Sequence, residues 1–283
     1  MKWHQLISSA RWGKQNSQRS ATEQRTEFQR DYDRLIFSSP FRRLQNKTQV
    51  FPLPGSVFVH NRLTHSLEVS SVGRSLGADV ARLLIPRYTE EDVAALESIS
   101  AIVSAACLAH DLGNPPFGHE GEAAIRSFFA EGEGLHLQDK LPIEVWNDIT
   151  HFDGNANTFR LLTHQFNGRR AGGFVMTYST LAAIAKYPFS SSLATHPKFG
   201  FFEAEREAFS HIFHALGIPA LEEEDTHLRF ARHPLVYLVE AADDICYEVM
   251  DIEDAHKLRI LSTEETRQLL LDFFSEEERK SLC

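Results

Sequence analysis

The residues best suited to chemistry lie in one stretch, residues 106–122, which reads ACLAHDLGNPPFGHEGE. His110 and Asp111 stand side by side at the end of an apolar run, and a Gly-Asn-Pro-Pro-Phe-Gly breaker follows them. Neighbouring side chains point about 100° apart on a regular helix, but both can face one point where a helix ends. His119 and Glu122 follow the breaker. The pattern indicates half of a metal site followed by candidate acid–base groups.

Other segments supply groups that could complete such a site. Arg62 and His65 lie three residues apart at a predicted helix start, so they share a face. Asp243, Tyr247 and Asp251 follow one another at steps of four and form one gently twisted stripe on a predicted helix. A carboxylate on a buried helix is costly unless it is paired or bound to a metal. Two histidines and two aspartates suit a divalent transition metal such as Mn, Fe, Co, Ni or Zn better than Mg.

Several of these residues also have an ordinary structural explanation. A single histidine such as His65 is more often structural than a ligand. His119 could cap the next helix, and Glu122 could be a carboxylate favoured by the dipole at a helix start. Lys186 could be solvated surface, and Tyr247 could be plain core. The metal-site hypothesis therefore depends on the combination of segments rather than on any one spacing.

The charge of the 283-residue chain is −10 overall but is unevenly distributed. Residues 1–50 carry ten Lys and Arg against four Asp and Glu, so the remainder is strongly acidic. A basic segment on an acidic body suggests an anionic partner. The polar, Ser- and Gln-rich start of the chain predicts a mobile basic arm over residues 1–21.

The sequence argues against membrane insertion and secretion. Fewer than 18 apolar residues run without interruption anywhere, and the N-terminus lacks the apolar core and cleavage site of a secretory signal. The three cysteines are far apart and form no C-x-x-C pair. These features favour a reducing, cytoplasmic location.

The elements that must position these groups are mainly helices. Apolar residues occupy nearly all faces of the segment ending at Ala109, which places it at the centre of the core. Asp153-Gly154-Asn155 is typical of a turn that caps the next helix. The run QVFPLPGSVFVH predicts a short β-hairpin near residues 49–60, and an acidic loop is expected over residues 217–230. The fold class is all-α, with main helices predicted over residues 64–84, 94–109, 120–130, 203–216 and 234–258.

The sequence resembles the HD-domain phosphohydrolases, and closely resembles the deoxyguanosine triphosphate triphosphohydrolase (dGTPase) family. The matching segments run in family order from about residue 22 to residue 256: RRLQNKTQVFP, HNRLTHSLEVS, LAHDLGNPPFGHEGE, FDGNANTFRLL, KYPFS and LVEAADDICYEVMDIEDA. The resemblance implies one HD phosphohydrolase domain over residues 22–283. Members of that family are usually longer, so either this is a short form or the C-terminal part of the family fold is missing from this sequence.

The resemblance implies one divalent metal ion (Mn, Mg, Fe, Co, Ni or Zn) held by His65, His110, Asp111 and Asp243. It also implies that water attacks the α-phosphorus of a deoxynucleoside triphosphate (dNTP), which releases the deoxynucleoside and intact tripolyphosphate. Asp243 rather than Asp244 is chosen because it keeps the four- and eight-residue spacing to Tyr247 and Asp251.

The resemblance also implies roles for residues around the metal. His119 is placed to protonate the leaving 5′-oxygen, and Glu122 to orient His119 or to manage the proton of the water. Two cations balance the charge of the polyphosphate, and three other residues hold the sugar and base. The implied substrate contacts are Arg62 and Lys186 for the phosphates, and Gln49, Tyr247 and Asp251 for the deoxynucleoside.

Two alternative functions stay open at this point. The chain could be another HD phosphohydrolase, acting on a nucleoside monophosphate, a cyclic nucleotide or a guanosine polyphosphate, or it could be a non-catalytic regulator that binds nucleotides or nucleic acid. The segments KTQVFP, GNPPFGHEGE and AADDICYEVMD argue against the first, and the retention of every implied ligand argues against the second. The resemblance further implies a homo-oligomer, from a dimer up to a hexamer, with no membrane association. A dNTP or single-stranded DNA would act as allosteric effector.

Overall fold

The structure is a computed structural model and describes residues 1–14, 24–51, 59–168 and 171–282. Helices dominate these residues, which confirms the predicted class. The α-helices are α1 (Trp3–Leu6), α2 (Glu27–Ile36), α3 (Ser39–Arg43), α4 (Arg62–Leu84), α5 (Glu90–Leu96), α6 (Ile99–Ala109), α7 (Gly118–Ala130), α8 (Ile143–Thr150), α9 (Gly154–Thr163), α10 (Tyr178–Ile184), α11 (Arg206–Ala215), α12 (Val236–Lys257), α13 (Thr263–Leu271) and α14 (Glu276–Leu282). Short 3₁₀ turns cover Leu44–Asn46, Ile85–Arg87, Glu133–Lys140, Ser191–Leu193 and Glu203–Glu205.

Helix α6 forms the centre of the core, as its apolar composition predicts. Helices α2, α4, α10 and α12 pack around it. The stretch Glu90–Ala109 is long and apolar enough to cross a membrane by length and composition, but 61% of its most apolar window is buried inside the protein. Its apolar faces are therefore used to hold the surrounding helices, and α6 delivers its C-terminal end to the point where those helices meet.

Helix α4 begins and packs in a way that fixes the side chains of its first turn. The Asn61 side chain accepts hydrogen bonds from the backbone N–H groups of Leu63 and Thr64, and this capping box sets the helix start. Further along, Gly73 faces α6 so closely that a Cβ atom there would lie 2.5 Å from the Sγ of Cys107. The close contact holds α4 against α6 and brings its first turn to the end of α6.

The β structure in the described residues lies in the segment that was expected to be an acidic loop. Strands β1 (Ala220–Glu223) and β2 (Leu228–Phe230) pair antiparallel, with Ala220 opposite Phe230. The loop expectation is wrong because Leu228 and Phe230 alternate inward, and each is 1% exposed. In the hairpin predicted near residues 49–60, residues 52–58 lie outside the described residues. Thr48 and Asn61, which flank it, form an isolated antiparallel bridge.

Residues 1–14 do not form the predicted mobile arm. Trp3, Ile7 and Arg11 are 5%, 8% and 3% exposed, so each is packed into the protein. The Arg11 guanidinium donates to the Asp31 carboxylate at 2.6 Å and to the Val175 carbonyl at 2.6 Å. Burial raises the pKa of Asp31, and Arg11 opposes that rise. Arg11, one of the basic side chains of the supposed arm, is therefore a buried structural cation, whereas residues 15–21 lie outside the described residues.

Replacing Arg11 by alanine is expected to destabilise the protein by about 3–5 kcal/mol, because Asp31 would be left buried without its cation. The free energy of unfolding from urea titration measures the effect. Arg82→Ala is the matched control: Arg82 pairs with Asp79 at 3.0 Å on the surface, and exposed pairs contribute about 0–1 kcal/mol. Equal stabilities for the two variants would contradict the structural role of Arg11.

Candidate metal centre and active site

The four side chains predicted as metal ligands converge from three helices. His65 lies in the first turn of α4, His110 and Asp111 directly follow α6, and Asp243 lies on α12. The Nε2 atom of His65 is 3.0 Å from Oδ1 of Asp243, and the Nε2 atom of His110 is 3.5 Å from the same oxygen. Ligand atoms of His65, His110 and Asp111 lie within 4.8 Å of one another. Asp244, the neighbouring carboxylate, is exposed to solvent.

The hydrogen bonds of His110 leave one ring nitrogen suited to a metal. Its Nδ1 atom donates to the carbonyl oxygen of Cys107 at 2.6 Å. A neutral imidazole with its proton on Nδ1 presents a lone pair on Nε2. Nε2 is buried and has no hydrogen-bond partner among the described residues. A divalent cation between this nitrogen and the two aspartates would satisfy all three groups, so the residues fit a metal.

Asp111 is held in place by groups from two other segments. Arg62 donates from Nη1 to Oδ2 at 2.6 Å, and the Asn114 amide donates to Oδ1. The Lys47 ammonium donates to the carbonyl oxygens of Leu112 and Asn114 at 3.2 and 2.6 Å. The turn after α6 is therefore fixed from both sides, which orients Asp111 toward the cluster.

The charges of the cluster compensate one another. Burial acts to raise the pKa of Asp243, but His110 and the hydrogen bond from His65 hold it well below its usual range. Burial acts to lower the pKa of His110, but the carboxylates of Asp111 and Asp243 raise it to about 9. The cluster thus favours positive charge at the position of the His110 ring. A metal and a proton would compete for Nε2, since ligating histidines must be neutral.

A second group of side chains lies at the start of α7. The Nδ1 atom of His119 is 3.1 Å from Oε2 of Glu122, and the His119 side chain is 84% exposed. Glu122 is buried and also accepts from the backbone N–H of Gly154 at 2.8 Å. Burial acts to raise the pKa of Glu122, but Gly154, His119 and Lys198 together lower it. Glu122 is therefore an ionised carboxylate that orients the His119 ring.

The capping alternatives have clear outcomes. The N-cap of α7 is Phe117, in the left-handed region at φ 65°, and no side chain caps the helix, so His119 does not cap it. Asp153 is the N-cap of α9 and accepts from the backbone N–H of Asn155 at 2.9 Å, as its turn sequence predicts.

One cavity of about 500 Å³ connects the His/Asp cluster with the His119–Glu122 pair. Gln49, Arg62, Lys186 and Tyr247 also line it, as expected for substrate contacts. The Oε1 atom of Gln49 is buried without a hydrogen-bond partner among the described residues. Asp251 is not part of the described lining, but it hydrogen-bonds Tyr247 and raises the pKa of that phenol. Asp251 therefore reaches the site through its contact with Tyr247.

Several residues that line the same cavity were not predicted from the sequence. Asn114 orients Asp111, and Lys198 lies 3.5 Å from Oε2 of Glu122. Tyr187 and Glu240 also contribute to the lining. Asn114 lies three residues after Asp111 in the motif GNPPFG, and Tyr187 directly follows Lys186 in KYPFS. This closeness along the chain to predicted site residues could have identified both. Lys198 lies in an irregular segment whose path depends on tertiary contacts.

Comparisons with known proteins agree with this architecture. Residues 62–145, which include three of the four candidate ligands, match the HD domain family. This part of the chain is therefore similar to an HD domain, and it lies in a helical body whose His/Asp cluster is at the meeting point of α4, α6 and α12.

More specific relatives extend the match to most of the chain. A deoxyguanosinetriphosphate triphosphohydrolase-like protein of Pseudomonas aeruginosa is 44% identical over 96% of the chain, and one of Synechocystis is 44% identical over 92%. A deoxyguanosinetriphosphate triphosphohydrolase of Serratia proteamaculans is 34% identical over 88% of the chain. The chain spans 61%, 61% and 54% of the lengths of these relatives. These matches confirm that the sequence resembles the dGTPase-like proteins over most of its length.

Proposed function

We propose that this chain is a metal-dependent dNTP triphosphohydrolase that cleaves a dNTP to a deoxynucleoside and tripolyphosphate. The observation that carries the proposal is that one cavity holds both the His/Asp cluster, with its unpartnered His110 nitrogen, and the His119–Glu122 pair. The cluster provides a cation site and the pair provides a proton donor, and hydrolysis at phosphorus needs both. The relative from Serratia proteamaculans is a deoxyguanosinetriphosphate triphosphohydrolase, which supports the same reaction.

The residues of the chain divide the work of the reaction among them. A divalent ion bound to the cluster would polarise an α-phosphate oxygen and lower the pKa of the attacking water. Arg62 and Lys186 balance the negative charge of the triphosphate, whereas the charge that develops as the bond breaks lies on the leaving 5′-oxygen. His119 gives a proton to the leaving 5′-oxygen, and ionised Glu122 keeps the ring in the orientation that transfer requires.

Tyr247 is proposed to make the protein discriminate against ribonucleotides. The ring lines the cavity and its hydroxyl is held by Asp251, so it crowds the 2′ side of the sugar. GTP should therefore be hydrolysed with a kcat/KM at least about tenfold below that of dGTP, and Tyr247→Ala should narrow this ratio. Val249→Ala, an exposed site on the same helix outside the described lining of the cavity, should keep the ratio. Equal kcat/KM values for GTP and dGTP with the unaltered protein would end the idea.

The reaction itself is tested by product analysis. The protein is incubated with each dNTP and with Mn²⁺ or Mg²⁺, and the products are separated by anion-exchange chromatography. Deoxynucleoside and tripolyphosphate in equal amounts support the proposal. Pyrophosphate or orthophosphate as the first product would instead support another HD phosphohydrolase, and no turnover with any metal would favour the non-catalytic regulator.

Location, assembly and regulation belong to the same proposal. We infer a cytoplasmic homo-oligomer, from a dimer up to a hexamer, regulated by a dNTP or single-stranded DNA. The basic first 50 residues motivate the anionic effector, although Arg11 is already paired with Glu27 and with the buried Asp31. Light scattering coupled to gel filtration, with and without each effector, measures the assembly.

A further inference from the structure

A second cavity of about 350 Å³ continues from the active-site cavity beyond Lys186. The two cavities share Lys186, Tyr187 and Glu240 in their linings, and Arg229 and Arg232 line the second. Glu240 lies on α12 three residues before the Asp243 position, about 4.5 Å of helix rise. The groove therefore opens from the cavity that holds the His/Asp cluster, and a chain of phosphates held at the cluster can extend into it.

The two arginines of this groove have N–H groups that make no hydrogen bond among the described residues. The guanidinium of Arg229 lies 5.4 Å from the centre of the Phe189 ring, and that of Arg232 lies 4.5 Å from the centre of the Tyr237 ring. In both arginines the Nε atom is buried and has no hydrogen-bond partner among the described residues. Nε of Arg229 lies 3.5 Å from a carboxylate oxygen of Glu222. A guanidinium packed against a ring is pre-organised for an oxyanion, and an unmet buried donor is costly.

Glu240 occupies the position that an anionic ligand would need. Its carboxylate lies 3.3 Å from the Nζ atom of Lys186 and also contacts the Arg232 guanidinium. One carboxylate thus holds two cations side by side at the junction of the two cavities. A phosphate group carries more charge and more acceptor oxygens than a carboxylate, so it can displace Glu240 and bind the same cations.

We propose that Arg232 and Arg229, together with Lys186, form a distal subsite for the terminal phosphates of a polyphosphate chain, with Glu240 as the counter-ion that a phosphate displaces. The inference rests on the proposed function, since the chain in question is the triphosphate of the substrate and the tripolyphosphate product. The subsite makes the protein select triphosphates, because a monophosphate held at the cluster leaves Arg232 paired with Glu240.

The test measures binding rather than turnover. Isothermal titration calorimetry of the metal-free protein in EDTA gives the Kd values of tripolyphosphate, pyrophosphate and orthophosphate. Arg232→Gln should weaken tripolyphosphate binding by roughly tenfold or more. Glu240→Gln should strengthen tripolyphosphate binding several-fold, because the competing carboxylate is gone. Arg82→Gln, at an exposed surface pair on α4, should leave the Kd of tripolyphosphate unchanged.

A subsite predicts that Arg232→Gln and Glu240→Gln change the Kd of tripolyphosphate in opposite directions. A purely structural ion pair does not predict this. If the Glu240–Arg232 contact only supported the fold, both substitutions would weaken binding and lower the melting temperature together, which would overturn the proposal. A dNTP analogue with a methylene group in place of the 5′-oxygen, which the proposed reaction cannot cleave, should compete with tripolyphosphate. Simultaneous binding of the two would place the anion site outside the substrate and would also overturn it.

Failure of the subsite is distinguishable from failure of the proposed reaction. If the protein releases tripolyphosphate from dNTPs while both variants keep the unaltered Kd, the subsite is wrong and the reaction stands. If the two substitutions shift the Kd in opposite directions but no dNTP is hydrolysed, the polyphosphate subsite stands and the reaction is wrong.

Discussion

His110→Ala and Asp111→Ala are each expected to abolish binding of a divalent metal. The two residues follow one another at the end of α6, and each presents an atom to the same cluster. Removing either leaves a gap that water cannot fill with the same geometry. The affinity for the metal should fall by more than the factor of about 10–100 that is typical when a residue that only orients a ligand is replaced. Elemental analysis after dialysis against Mn²⁺ measures the bound metal.

The chain offers two graded controls for this prediction. Asp244→Ala removes an exposed carboxylate next to Asp243 and should leave the metal content unchanged. Asn114→Ala removes a group that only orients Asp111 and should weaken metal binding to an intermediate degree. Unaltered metal content in the His110 and Asp111 variants would remove the cluster from the mechanism.

His119→Ala is expected to leave the metal in place and to lower kcat by roughly 10²–10⁴. The ring lies outside the metal cluster and is oriented by Glu122, so its loss removes a proton donor without removing a ligand. Steady-state kinetics with dGTP, together with elemental analysis of the same sample, separates the two effects.

An exposed histidine elsewhere serves as control for that variant. His136 lies in the 3₁₀ segment after α7 and is exposed, so His136→Ala should keep the unaltered kcat. The kcat of Glu122→Gln should lie between those of His119→Ala and His136→Ala. Glutamine keeps the shape of the side chain but loses the charge that orients His119. A kcat equal to that of the unaltered protein in His119→Ala would show that another group protonates the 5′-oxygen.

The His/Asp cluster could be predicted from the sequence because its parts carry local signals. His110 and Asp111 stand at an apolar helix end next to a breaker, and the stripe through Asp243 follows helical spacing. Such signals depend only on neighbours along the chain. The resemblance to a family then joined the separate segments, and the structure brings them together in one cavity.

The parts that could not be predicted depend on contacts between distant segments. Arg11 looked like surface charge because its buried partner Asp31 lies on another helix and the Val175 carbonyl is far along the chain. Leu228 and Phe230 lie in a segment whose acidic composition predicts a loop. Their alternation of apolar and polar residues is too short to predict a strand against that composition. Lys198 reaches Glu122 only through the path of an irregular segment. No periodicity marks such residues, because their environment exists only after the helices have packed.

The spread of the ligands along the chain has a consequence for biogenesis. His65 emerges from the ribosome early, whereas Asp243 emerges only after about 180 further residues, at roughly 5–20 residues per second. The nascent polypeptide can therefore offer an incomplete set of donors for many seconds, exposed to whichever cation is abundant. The choice of metal would then be made only when α12 packs against α4 and α6, because Asp243 completes the set of candidate ligands at that step.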